Sequence, residues 1–303
     1  MKHSLKITAL LIIMFFIAQM IGIAVMISNN EYQKLNQKEP LPDFIAPPKD
    51  MKPEVSLGTI IIAIALGVFL MLALMKFKAE IVLRIWFFLV VILAIAIALN
   101  SFFVWFVPMP FLIALLIALP LAVLKIFVRN IKIHNLTELL IYPGVASLFA
   151  PILNVWAMAV LLVLISIYDI YAVWHAGFMQ KMAKYQIKQL RIFTGFFIPY
   201  LSSGQKLKLK DKAAKAKEKK IKVSVAILGG GDIVFPIILA GVILAQFGLD
   251  AAIIISLGAT LALAALFYYS QKGKFYPAMP FISAGCFVAL GIVYLLSYLN
   301  LLS

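Results

Sequence analysis

Nine apolar stretches follow one another along the chain, separated by polar or charged segments. A helix needs about 20 apolar residues to cross the hydrocarbon core of a bilayer, so each stretch is a candidate span. The predicted spans are 5–28, 57–77, 84–106, 107–127, 137–153, 155–175, 222–246, 249–269 and 280–300. The pattern therefore predicts an all-α polytopic membrane protein with nine transmembrane helices.

The basic residues between the spans indicate how the chain is oriented. Apart from the lysines of segment 29–56, every Lys and Arg lies in alternate segments, counted from the N-terminus. Cytoplasmic segments of membrane proteins carry such an excess of basic residues. The alternation predicts a cytoplasmic N-terminus and, after nine spans, a C-terminus outside the cell.

Composition agrees with a membrane protein and excludes other classes. The 303 residues are 64% hydrophobic and 13% charged, with a mean hydropathy of +1.06. A soluble domain is about half apolar and a quarter charged. The net charge of +15 lies mostly between the spans, so the lipid bilayer, and not nucleic acid, is the expected partner. One cysteine and three scattered histidines form no disulfide framework or zinc motif, so we expect no metal and no organic cofactor.

The longest charged segment, at about 176–222, is predicted to be a basic cytoplasmic loop. Within it, residues 177–195 mix basic and apolar positions as an amphipathic helix on the inner leaflet would. Residues 205–222 are a lysine run, predicted to be a solvated tether beside anionic lipid. Residues 221–225 alternate β-branched and polar positions, which predicts a short β-strand before the seventh helix.

Two acidic residues, Asp169 and Asp232, lie inside apolar spans, and no Lys or Arg lies inside a span to pair with them. The other acids lie between spans or, like Glu138, at a span boundary. An ionised carboxylate in a bilayer costs at least about 2.5–3.5 kcal/mol, so such residues usually serve a function. Both acids are predicted in the cytoplasmic half of consecutive antiparallel spans, where they can face each other. Two adjacent carboxyls share a proton, so that one can activate water while the other polarises a carbonyl.

The residues around the two acids fit the cleavage of a peptide bond. Gly229, Gly230 and Gly231 directly precede Asp232, and glycines let another backbone approach closely. Main-chain groups there can also pair with an unwound substrate by strand addition. Tyr168 precedes Asp169 and can hydrogen-bond a carboxyl or substrate. At the mouth of the ninth span, the segment Pro277-Ala278-Met279-Pro280 is held out of helix by its two prolines.

In this order, these residues resemble the presenilin and signal peptide peptidase family of intramembrane aspartyl proteases. The family carries YD in its sixth span, GxGD in its seventh and a PAL motif before its ninth. The matching residues here are Tyr168-Asp169, Gly229–Asp232 and Pro277–Met279, with Met279 in place of the motif leucine. The resemblance implies that Asp169 and Asp232 are the catalytic pair. It also implies that the glycines and the Pro277–Pro280 segment support the site and the substrate, with Met279 a nearly volume-conserving change.

The resemblance also implies an organisation. Residues 1–154 would form a membrane scaffold of five to six helices, and residues 155–303 the catalytic region. The substrates would be transmembrane segments of single-span membrane proteins. A cytoplasmic N-terminus, the second proline of PAMP and a short chain resemble a microbial presenilin homologue, most like an archaeal one, in the cell membrane. Such a homologue is expected to act without accessory subunits, and the sequence leaves homo-oligomerisation open.

Two other functions use the same pair of acids. A proton- or cation-coupled transporter also places paired acids in the membrane, although no internal repeat is evident here. A leak channel would need the same water-accessible cavity. Serine or cysteine chemistry is disfavoured, because Ser256, Ser283 and Cys286 have no histidine in their spans to act as a base.

Overall fold

A computed structural model describes residues 5–47, 53–77, 79–128, 130–176, 194–200, 224–270 and 276–301. Within these residues the protein is helical apart from one pair of strands. The helices are α1 Leu5–Asn36, α2 Pro53–Lys76, α3 Glu80–Phe103, α4 Pro110–Phe127, α5 Ile131–Phe149, α6 Val155–Ile170, α7 Gly230–Tyr269 and α8 Met279–Tyr298. A short 3₁₀ turn, Ala150–Ile152, follows α5, and a π-helical turn, Tyr171–Ala176, follows α6. The strands are β1 Gly195–Tyr200 and β2 Ser224–Gly229.

The helix count differs from the predicted nine because α7 covers two predicted spans. It has 40 residues, or about 60 Å, against a hydrocarbon core of about 30 Å. Non-helical dihedrals at Gly248 (φ 85°, ψ −173°) break it near its middle, at a φ that glycine adopts readily. The described residues thus contain eight α-helices, and the count of nine is not confirmed.

Seven helical segments are long and apolar enough to cross a membrane, in agreement with a polytopic membrane protein. Of the α-helices in the described part of the chain, α5 alone is not among them. Its first turns carry Lys132, His134, Asn135 and Glu138, which lower its apolar character. Pro120 and Pro143 lie inside α4 and α5, which continue through them.

Helix α7 is the centre of the bundle. It packs against α1, α5 and α8, while α6 packs mainly against α8 and, to a smaller extent, α7. Helix α3 lies against α4 and α5. By contrast, among the described residues α2 packs mainly against α3 and α6 and exposes most of its apolar side chains. Of the two helices that carry the predicted acids, α7 is therefore packed on several sides, whereas α6 is held mainly by α8.

The strand predicted before the seventh helix is present, although its position differs. It occupies 224–229 rather than 221–225, and it pairs antiparallel with β1, with Gly195 opposite Gly229. The seventh helix consequently begins at Gly230 and not at 222. The sequence did not predict β1. The predicted amphipathic helix falls mainly on 177–193 and the lysine run on 205–222, and both lie outside the described residues.

Candidate active site

Asp169 is the penultimate residue of α6, and its side chain is buried. The helix begins at a defined point because the Asn154 side chain accepts a hydrogen bond from the N–H of Ala157, at 2.7 Å. The chain then continues past Asp169 into the π-helical turn. Asp169 therefore lies where regular α-helix ends, on the side of α6 that faces α8.

Asp232 is the third residue of α7, directly after the end of β2. Its carboxyl accepts a hydrogen bond from the main-chain N–H of Gly229, the last residue of the strand. Pro236, four residues later, has no N–H to donate to the main-chain carbonyl of Asp232. The junction between strand and helix thus fixes the carboxyl of Asp232.

The fold brings the two acids together. Their carboxyl groups are close enough for a direct electrostatic interaction. Asp169 is buried, whereas Asp232 is partly exposed, so one side of the pair remains accessible. The sequence analysis predicted both acids at similar depth on consecutive antiparallel segments, and the structure has them within electrostatic range of each other.

The Pro277–Pro280 segment holds Asp169 through its main chain. The N–H of Met279 donates to Oδ2 of Asp169 at 3.0 Å, and the N–H of Ala278 also hydrogen-bonds this carboxyl. Both N–H groups lie at the start of α8, where helical N–H groups have no partner within the helix. The N-terminus of a helix also attracts negative charge. Met279 itself is buried, and a second link between the helices joins Ser166 Oγ to Ser283 Oγ at 2.9 Å.

The three glycines before Asp232 have different surroundings. Gly229 lies within reach of the Asp232 carboxyl, and a Cβ there would lie 3.2 Å from Oδ2. A Cβ on Gly230 would lie only 2.9 Å from Cε1 of Tyr142. Gly231 is exposed, and a Cβ there would meet only Phe235, at 3.7 Å. Of the three positions, 230 has the clearest requirement for glycine, because the Tyr142 ring lies so close to its backbone.

Tyr168 lies beside the pair, as its position in the sequence suggested. Its side chain is half-buried, and the charge of Asp169 acts on its hydroxyl. Of the residues predicted for the site, Tyr168, Ala278 and Met279 thus interact with Asp169, and Gly229 with Asp232.

The sequence analysis missed a buried polar cluster behind the site. Lys125, in the last turn of α4, pairs with Glu138 of α5, with Nζ and Oε1 2.5 Å apart. Lys125 thus lies at the end of its span, and it pairs with Glu138 and not with the two aspartates. The short connection between α4 and α5 could have indicated this pairing, because it places the last turn of α4 beside the first turns of α5.

The comparison with protein families decides the identity. A family model described as signal-peptide peptidase, presenilin aspartyl protease matches residues 9–299. The chain belongs to this family. It is an intramembrane aspartyl protease of the presenilin and signal-peptide-peptidase type, and the resemblance noted from its motifs is confirmed.

Solved structures agree with the fold. A presenilin family intramembrane aspartate protease, solved in space group C222, is 18% identical with a TM-score of 0.61, over 95% of this chain and 99% of that chain. A presenilin family structure in space group P2 is also 18% identical, with a TM-score of 0.60, over 94% and 96%. A comparison with curated proteins gave no match. The presenilin-like fold therefore extends over nearly the whole chain of this family member.

Proposed function

We propose that this family member hydrolyses peptide bonds within transmembrane segments of single-span membrane proteins, with Asp169 and Asp232 as the catalytic pair. The observation that carries the proposal is the approach of the two carboxyl groups at the meeting point of α6, α7 and α8. Membership of an aspartyl protease family supports the reaction type. The partial exposure of Asp232 supports access of water to the pair.

The proposed reaction needs only the two carboxyls and water. One carboxylate takes a proton from the water molecule whose oxygen attacks the scissile carbonyl carbon. The protonated partner carboxyl gives its proton to the carbonyl oxygen. The tetrahedral intermediate then collapses. Its C–N bond breaks, and the leaving nitrogen receives a proton from the pair. No covalent acyl-enzyme forms, and no metal or organic cofactor takes part.

The remaining site residues have supporting roles in this proposal. Pro277–Pro280 positions the main-chain N–H groups that hold Asp169. The glycine segment lets substrate backbone approach Asp232, and Tyr168 provides a hydroxyl beside Asp169. Residues 155–303 would then form the catalytic region on a scaffold of residues 1–154. We also propose that the N-terminus is cytoplasmic and that the protein acts in the cell membrane without accessory subunits.

A reconstituted cleavage assay tests the catalytic pair. The purified protein in liposomes is mixed with a generic single-span substrate, and the products are identified by mass spectrometry. Asp169→Asn and Asp232→Asn keep the side-chain shape but remove the carboxyl, so we expect each to abolish cleavage within the span. The control is Asp250→Asn, which changes an exposed acid near the Gly248 break of α7 and should cleave like wild type.

The outcome can contradict the proposal in two ways. Folded wild type that cleaves no transmembrane segment would remove the proposed activity. Cleavage that persists in either aspartate variant would remove the assignment of that residue. Ion flux that depends on both acids, in a protein without proteolysis, would favour a transporter instead.

A further inference from the structure

A buried polar cluster lies behind the candidate active site and takes no part in the reaction proposed above. Lys125 and Glu138 have side chains that are 2% and 1% exposed, so this ion pair is removed from water. His134 completes the cluster, with its Nδ1 3.3 Å from Lys125 Nζ and its Nε2 3.5 Å from Glu138 Oε1. A buried ion pair contributes little net stability compared with apolar packing, so its presence calls for another explanation.

The cluster holds the first residue of β1. Glu138 Oε1 accepts a hydrogen bond from the N–H of Gly195 at 3.4 Å, and His134 Nε2 lies 2.9 Å from the carbonyl oxygen of Gly195. The Asn135 side chain bonds both the N–H and the carbonyl of Phe197, each at 3.0 Å. Because Gly195 pairs with Gly229 across the strands, the first turns of α5 fix the end of the ladder that leads into Asp232.

Tyr142, one helical turn after Glu138, extends the cluster to Asp232. Its ring lies edge-on against Phe196 of β1, with the centroids 5.6 Å apart, and its Cε1 would contact any side chain at Gly230. The side chain is only 3% exposed. The charges of Glu138 and Asp232 both act on its hydroxyl, which would lie 3.3 Å from a Cβ at Gly230, two residues before Asp232.

The polar atoms of this arrangement are incompletely paired. Within the part of the chain that the structure describes, neither the Tyr142 hydroxyl nor Glu138 Oε2 has a hydrogen-bond partner of regular geometry, although the hydroxyl lies close enough to the Glu138 carboxyl for a loose hydrogen bond. Leaving a buried hydroxyl without a partner is costly, and most such groups in proteins are paired. The acidic neighbours of this hydroxyl are Glu138 and Asp232, and catalytic hydrogen bonds that are loose in a free enzyme often tighten when substrate binds.

From this geometry we infer that Tyr142 is a positioning residue for Asp232, itself held in place by Glu138. The hydroxyl donates to the Asp232 carboxyl when substrate or inhibitor occupies the site, and so fixes the orientation of that carboxyl toward Asp169. Lys125 pairs with Oε1 of Glu138. Oε2 of Glu138 is left to orient the tyrosine hydroxyl. This inference rests on the proposed function, because it assigns a role in the reaction of the aspartate pair.

The test compares Tyr142→Phe with wild type in the liposome cleavage assay. Phenylalanine keeps the ring that packs against Phe196 and Gly230 and removes only the hydroxyl. We expect kcat to fall about tenfold, the loss typical of one hydrogen bond to a charged group, while KM and the thermal unfolding temperature stay close to wild type. The control is Tyr294→Phe. Tyr294 lies on α8, far from Met279, and its ring packs edge-on against Phe247 of α7. Removal of its hydroxyl should leave kcat at the wild-type value.

A binding measurement separates positioning from a structural role. A peptide-like inhibitor that carries a hydroxyl in place of the scissile carbonyl should bind Tyr142→Phe about tenfold more weakly than wild type. The same inhibitor without that hydroxyl should bind both proteins equally, because it does not engage the aspartate pair. A merely structural role would weaken both inhibitors alike and would overturn the inference.

Coupling to Glu138 gives a second test. If Glu138 acts through Tyr142, the double variant Glu138→Gln with Tyr142→Phe should have the same kcat as Glu138→Gln alone. Independent, multiplicative losses would overturn the part of the inference that joins the two residues. Wild-type kcat in Tyr142→Phe, in a protein whose aspartate variants are inactive, would overturn the inference and leave the proposed function intact. Wild type that neither cleaves nor binds the inhibitor would overturn both.

Discussion

The main-chain N–H of Met279 donates a hydrogen bond to Oδ2 of Asp169 across 3.0 Å and joins the start of α8 to the end of α6. A main-chain donor depends on the path of the backbone and not on the identity of the side chain. This explains how a methionine can stand where the family motif has leucine. Substitutions in Pro277–Pro280 should therefore affect Asp169 through the backbone conformation of this segment.

Pro277→Gly should weaken the site by loosening that backbone. Glycine restores the torsional freedom that proline removes, and fixing the backbone of one residue costs about 1–2 kcal/mol. We therefore expect kcat to fall about tenfold in the cleavage assay. Met279→Leu keeps the N–H and nearly the same buried volume, so its kcat should stay within about twofold of wild type. Equal kcat values for wild type and Pro277→Gly would contradict this role of the segment.

Gly230→Ala should be more harmful than Gly231→Ala, although the two residues are adjacent. A Cβ at Gly230 would lie 2.9 Å from the Tyr142 ring, which is buried and cannot easily move, whereas the nearest atom to a Cβ at Gly231 is 3.7 Å away. Overpacking of this kind costs about 1–3 kcal/mol. Thermal unfolding in detergent and the cleavage rate should both fall further for Gly230→Ala. The reverse order would show that the close contact with Tyr142 does not limit position 230.

Loss of either partner of the Lys125–Glu138 pair should destabilise the protein strongly. Lys125→Met or Glu138→Gln leaves one buried group without its charge partner, at a cost of about 3–5 kcal/mol. The double variant removes both charges and should be more stable than the sum of the two single losses predicts. Thermal unfolding of the four proteins measures the coupling. Additive losses would mean that the 2.5 Å contact contributes no pairwise energy.

Gly285→Val should separate α8 from α7. A side chain at Gly285 would collide with Ala262 and with the main-chain carbonyl of Gly258, so the helices would have to move apart. Small residues at such interfaces let membrane helices approach closely. We expect a loss of at least about 1–3 kcal/mol together with reduced cleavage, because α8 carries the donors to Asp169.

The matched control for this substitution lies on the same helix. A Cβ at Gly291 has nothing within 4 Å, and the residue is exposed. Gly291→Val should therefore unfold at nearly the wild-type temperature and cleave at nearly the wild-type rate. If the two valine variants lose stability equally, the cost comes from valine in the helix and not from the α7–α8 interface.

The candidate site could be located from the sequence because its components are anomalies in an apolar chain. Asp169 and Asp232 are unusual inside apolar spans, and the glycines and prolines beside them are unusual within predicted helices. Such features are visible without any contact information. The strand before α7 was predicted for a similar reason, since alternation is a local pattern, although its position was three residues early.

Other features could not be predicted because they depend on contacts between distant segments. Strand β1 is a strand because β2 and α5 supply partners for its main chain, and nothing in Gly195–Tyr200 alone requires this. Hydropathy predicted a boundary between 246 and 249, and α7 does break at Gly248, but the backbone conformation of that break cannot be inferred from hydropathy. Nothing in the sequence distinguishes Tyr142 from the other ten tyrosines, and only the fold brings it within electrostatic range of both Glu138 and Asp232.

The sequence by itself therefore determined the membrane character, the order of the apolar segments and the presence of two acidic residues inside those segments. These features follow from the free-energy cost of placing a polar side chain in lipid, which depends on the residue type and not on contacts with distant segments. Only the tertiary structure decided which groups surround those acids: main-chain donors from α8, the strand end at Gly229 and the ring of Tyr142. Short-range hydrogen bonds and packing depend on distances of a few ångströms between segments far apart in the chain, and hydropathy patterns carry no such distances.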